Sequence, residues 1–124
     1  MIGGLERRGH GPSWLGFAGG LLAAAAVALS AYASHGVADA QVQSRLMTAA
    51  LYAFGHGVAL LVLAPSTPRG LGRIGLAALL LGTVLFSGSL VGGALWQLPT
   101  RLAPAGGSLL IVAWVALAFS ALRR

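Results

Sequence analysis

Residues 46–64 read LMTAALYAFGHGVALLVLA, an apolar run with no formal charge and a single histidine, His56. A helix rises 1.5 Å per residue, so about 20 residues cross the ~30 Å hydrocarbon core of a bilayer. Lipid offers the backbone no hydrogen-bond partners, so a run that enters it folds as an α-helix. Three more stretches have the same character, at residues 14–33, 74–95 and 103–122. The pattern predicts an all-α integral membrane protein, a single domain over residues 1–124 built as a four-transmembrane-helix bundle. Its connections are short, which predicts antiparallel neighbours in sequence order. Pro65-Ser66-Thr67-Pro68 breaks the chain between the second and third spans, and Pro99 stops the third. Pro104 suits the first turn of the fourth, where its missing N–H is not needed.

Composition agrees. The 124 residues are 57% hydrophobic and 8% charged, with a mean hydropathy of +0.86, too apolar for a soluble domain of this size to bury. The net charge of +6 comes from arginine alone against Glu6 and Asp39. These arginines flank apolar segments, which points to the lipid bilayer as partner and away from nucleic acid. In a four-pass chain Arg7, Arg8, Arg69, Arg73, Arg123 and Arg124 fall on one side, and Arg45 and Arg101 on the other. The bias predicts both termini on the cytoplasmic side. An arginine-only basic set with abundant alanine and glycine suggests a GC-rich bacterial source, hence an inner-membrane location. Arg7-Arg8, a long apolar run and Ala31-Tyr32-Ala33 also resemble a signal peptide, but the run exceeds the usual 7–15 residues and is read as a retained span.

Charge at membrane depth is costly, so His56 calls for a partner, a cavity or a task. Arg45, Thr48, Tyr52 and His56 recur at helical spacing and share one face. Such a stripe is expected to face the bundle interior, either as a hydrogen-bonded seam or as the lining of a path. Arg45 lies near enough to the interface to serve as an anchor. His35, at the outer end of the first span, sits about 16 Å from the depth of His56. That separation argues against a metal shared by the two, and a helix-terminal hydrogen bond is the expected role of His35. His10 has no constellation around it.

Glycine spacing predicts the packing faces. Gly88 and Gly92 on the third span, and Gly16 and Gly20 on the first, have the small-xxx-small spacing that lets helix backbones approach, with Ser87 and Ser89 available to bond across the contact. With so few carboxylates and no cysteine, no triad, phosphate loop, thiolate site or acid–base pair can be assembled. No catalytic residue, cofactor or metal is predicted.

The runs Ala31 to Gly36, Thr48 to Tyr52, His56 with Ala59-Leu60-Leu61, Leu85 to Leu90, and Pro104 to Gly107 with Trp114 resemble the YgdD-like domain-of-unknown-function family of small inner-membrane proteins. The resemblance covers about residues 14–122 and implies a four-pass membrane protein, without an implied reaction. The family usually carries Gly-Ala-His where this chain has Ala33-Ser34-His35, and bulkier residues where it has Ala53-Phe54-Gly55. Gly55 and Gly57 beside His56 leave room for a close helix or a lipid-like ligand.

Three functions are compatible with these features. The first is a structural or accessory subunit, without enzymatic activity, that packs as a homo-oligomer or against a larger membrane complex. The second is a small oligomeric channel or carrier in which His56, Tyr52 and Ser87 line a path for a proton or small solute. The third is a quinone- or haem-binding redox module using His56 or His35.

Overall fold

The computed structural model describes residues 12–67 and 70–122. Arg7, Arg8, Arg69, Arg123, Arg124 and His10 therefore lie outside the described residues. Four α-helices follow one another: α1 (Trp14–Gly36), α2 (Ala40–Leu63), α3 (Leu71–Trp96) and α4 (Leu102–Ala121), with a 3₁₀ turn over Ala64–Ser66 after α2. Each is long and apolar enough to cross a membrane, the character of a multi-pass membrane protein.

The helices α1, α2 and α3 run past their apolar stretches, and capping or backbone conformation sets several of their ends. The Ser13 hydroxyl accepts the Gly16 N–H at 3.0 Å and starts α1. Asp39 caps α2 by accepting the N–H groups of Gln41 and Val42, so the polar turn up to Arg45 is helical although it lies ahead of the apolar run. Gly70, at φ 117°, adopts a conformation an L side chain resists and turns the chain into α3. Gln97, in the left-handed region, ends α3 just before Pro99. Arg73 Nη1 donates to the Ala64 carbonyl at 3.0 Å, tying the first turn of α3 to the end of α2.

Packing is unequal around the four helices. α1 packs chiefly on α2, and α4 chiefly on α3; the two pairs meet through α2 and α3, while α1 touches α3 only marginally. Gly19 faces Gly57, Ala26 clusters with Ala50 and Ala53, and the Gln43 side-chain amide donates to the Ala33 carbonyl. The main core lies where α2, α3 and α4 converge, at Leu60, Ala64, Leu76, Leu79, Leu110 and Ala113. Apolar association is no gain over lipid for such helices, so their contact rests on dispersion and on close backbone approach.

Glycines supply that approach, at positions other than the expected pairs. A Cβ on Gly19 would lie 2.5 Å from the Gly57 carbonyl oxygen, and one on Gly57 equally close to that of Gly19. Between α3 and α4, a Cβ on Gly106 would come within 2.5 Å of the Phe86 backbone nitrogen and 2.8 Å of the Gly82 oxygen. By contrast Gly88 has nothing within 4 Å, and Gly20 meets only a leucine methyl at 3.8 Å. Gly16 sits beside its own cap Ser13, with Pro65 at 3.6 Å, and Gly92 against Leu98 of the segment after α3.

Candidate functional site

α2 and α4 both pack on α3 but not closely on each other, and between them lies a cleft of about 800 Å³ with α3 as its floor. Tyr52 and His56 line one wall, Phe86 and Leu90 the floor, and residues from Ala103 to Trp114 the other wall. A hydrogen bond crosses its inner end: the Trp114 indole N–H donates to His56 Nε2 at 3.0 Å. His56 Nδ1 lies 2.8 Å from the Tyr52 carbonyl oxygen one turn back. An indole nitrogen only donates and a carbonyl only accepts, so this pair of partners selects the neutral imidazole with its proton on Nδ1. A protonated ring would present N–H to N–H at Trp114 and break the bridge.

Aromatic packing reinforces the bridge. The rings of Tyr52 and His56 stack with centroids 5.8 Å apart, Tyr52 meets Phe86 at 4.7 Å, and His56 meets Trp114 at 5.7 Å. His56 is buried, whereas Tyr52 and Trp114 keep about two fifths of their surface open.

The stripe on α2 therefore divides. Tyr52 and His56 enter the cleft, Thr48 turns its hydroxyl back to the Ser44 carbonyl at 3.0 Å, and Arg45 is exposed toward the end of the helix. Ser87 is not brought to His56. Its hydroxyl donates to the Ala49 carbonyl at 2.9 Å on another side of α2, joining α3 to α2. It lines a second groove of about 400 Å³, together with Ala26, Ala53, Gly88 and Gly92. Ser89 Oγ is buried without a hydrogen-bond partner, and Thr83 bonds back to the Leu79 carbonyl within α3. At the end of α1, exposed His35 places Nδ1 3.0 Å from the Ala31 carbonyl oxygen. Among the described residues no three His, Asp or Glu side chains gather into a metal-binding group.

Trp114 is the partner that sequence reading did not assign to His56. Its signal was a lone indole at mid-span on the last helix, with an N–H that lipid would leave unpaired. A family model described as a protein of unknown function, DUF423, matches residues 29–107. The chain belongs to the DUF423 family. The matched stretch takes in α2 and α3, with His35, His56 and Ser87, but ends short of Trp114. No curated protein and no solved structure matches this DUF423 chain.

Proposed function

We propose that this DUF423 protein is a non-enzymatic structural or accessory subunit of a bacterial inner membrane. In this reading its four helices cross as antiparallel neighbours with both termini cytoplasmic, and the unit packs against a second copy or a larger membrane complex. The observation that carries the reading is the use of both His56 nitrogens within the chain. Polar groups at membrane depth that satisfy one another specify packing, whereas a relay needs a group free to exchange a proton. Ser87 belongs to the α2–α3 contact instead of extending a path from His56. The antiparallel arrangement is supported by the contact order along α1 and α2, in which Gly19, Ala26 and Ala33 meet Gly57, Ala50 and Gln43. The groove beside Gly88, where alanines and glycines alternate with larger apolar side chains such as Leu29 and Trp96 and no side chain lies against that glycine, supports a contact with another helix.

Purification in mild detergent tests the proposal. A second copy or a larger partner at fixed stoichiometry is expected. Proteoliposomes of the pure protein are expected to hold a proton gradient, with His56→Ala changing thermal stability and not flux. A monomer whose proton conductance disappears in His56→Ala would overturn the reading in favour of a carrier.

A further inference from the structure

Two exposed arginines stand outside the lining of the cleft between α2 and α4, in line with the helix faces that form its walls. Arg45 precedes Tyr52 by seven residues, two helical turns, and so shares the face that Tyr52 and His56 turn into the cleft. Arg101 stands at the start of α4, beside the lining residues Thr100 and Pro104 and one heptad before Ser108. The two arginines lie at the same level of the fold. Ser87 on α3 meets Ala49 on α2, and Phe86 meets Gly106 on α4, so one turn further along α3 both Arg45 and Arg101 are reached. Both are exposed, and the one carboxylate among the described residues, Asp39, turns its Oδ1 to the two N–H groups it caps.

From Arg101 to Trp114 the cleft runs about 20 Å along α4, at 1.5 Å per residue. One leaflet, half of a bilayer of 40–45 Å, has about that depth. The inner end offers no free hydrogen-bonding group, because His56 and Trp114 satisfy each other there. That end suits a terminal methyl and refuses a polar ring such as a quinone head. The lining hydroxyls belong to Tyr52, Thr100 and Ser108, closer to the rim.

We infer that the cleft is a binding site for one anionic glycerophospholipid, with an acyl chain laid along Phe86 and Leu90 down to the His56–Trp114 bridge and its phosphate between Arg45 and Arg101. The site rests on the membrane placement given above but not on an accessory role, and it holds for either orientation of the termini. Charge selects the lipid class at the rim, and chain length is read at the bridge. An arginine near a membrane surface favours an anionic lipid about fivefold, so two select it about 30-fold over a zwitterionic lipid of the same chains.

Trp114 reports occupancy directly. In a Trp14→Phe, Trp96→Phe background, the protein is placed in phosphatidylcholine nanodiscs with increasing phosphatidylglycerol, one lipid at a time carrying bromine near the end of its chain. Quenching of Trp114 is expected to saturate at a phosphatidylglycerol fraction about 30-fold below that needed with brominated phosphatidylcholine. Arg45→Gln and Arg101→Gln are each expected to lower the preference about fivefold. Gly107→Leu is expected to remove the saturable component without lowering the melting temperature. A Cβ there makes ordinary contact with the Phe86 ring at 3.6 Å, and the longer side chain fills the cleft. Equal quenching by the two lipids, a preference indifferent to both arginine variants, or saturation that survives in a folded Gly107→Leu protein would overturn the site. None of these outcomes bears on whether a partner co-purifies, so the site and the accessory role fail separately.

Discussion

His56 was visible in the sequence as a cost, and the structure shows what offsets it. A histidine in an apolar run can be detected from the run alone, but its partner lies 58 residues away on α4. No spacing within α2 could name Trp114, because helical periodicity orders the residues on one helix and not the approach of another. The same limit applies to Ser87, whose bond to the Ala49 carbonyl was legible as a capacity and not as a partner. Removing His56 leaves the Trp114 N–H without its acceptor and opens a space beside Tyr52. His56→Ala is expected to cost about 1–2 kcal/mol, between the penalty for an orphaned buried donor and the smaller values found inside membranes. Trp114→Phe removes the donor and retains an aromatic ring, with an expected cost of about 0.5–1 kcal/mol. Thermal unfolding in detergent measures both, and a double variant no worse than His56→Ala shows that the two residues act through one bond. Nitrogen NMR of labelled histidine provides the complementary reading, since His56 is expected as the neutral form protonated at Nδ1. A ring protonated at Nε2 would be incompatible with the bridge.

At the scale of the helices, the four spans were legible because hydropathy reports where lipid lies. Their ends were less so, because Asp39, Gly70 and Gln97 set them through capping and backbone conformation. Glycine spacing named a type of contact and not its location. Many glycine pairs in this chain have helical spacing, and only packing selects Gly19 with Gly57 and Gly82 with Gly106. Gly57 was foreseen as a place of close approach beside His56, whereas Gly82 and Gly106 were missed. Gly75 and Gly82 recur at a heptad interval that could have marked the α4-facing side of α3. The consequence is a contrast between sites. Gly57→Ala drives a methyl group against the Gly19 carbonyl and the backbone of Ala23, neither of which is a flexible side-chain end. The expected loss is about 1–3 kcal/mol, the usual cost of overpacking. Gly88→Ala meets open space and gains helix propensity, so the isolated chain should keep or raise its melting temperature. If Gly88 seats a second helix, the same substitution should weaken association measured by analytical ultracentrifugation while leaving that melting temperature intact.

For the whole molecule, the departure from a closed bundle is what creates a site. Short connections predicted consecutive neighbours, and the helices do pack in that order, but nothing in loop length says whether α4 returns to α1 and α2 along its full length. Here it packs on α3 and reaches α2 through the shared core and the His56–Trp114 bridge, so the cleft lies between α2 and α4 over α3, with the proposed arginine rim at its far end. Which membrane face that rim meets follows from the arginine bias, and most of that bias lies outside the described residues. The chain contains no cysteine, so single cysteines can be introduced and labelled without background. Ala38 and Gln97 occupy the connections nearest the rim, and Pro12 and Ser66 the opposite end, all of them exposed. With cytoplasmic termini, a membrane-impermeant maleimide added to intact cells should label Ala38→Cys and Gln97→Cys. Pro12→Cys and Ser66→Cys should react only after permeabilisation. The reverse pattern would place both termini outside and the arginine rim on the cytoplasmic leaflet. Labelling of Pro12→Cys and Ser66→Cys from opposite sides would be the stronger contradiction, because it would require an odd number of crossings between them where the fold provides α1 and α2.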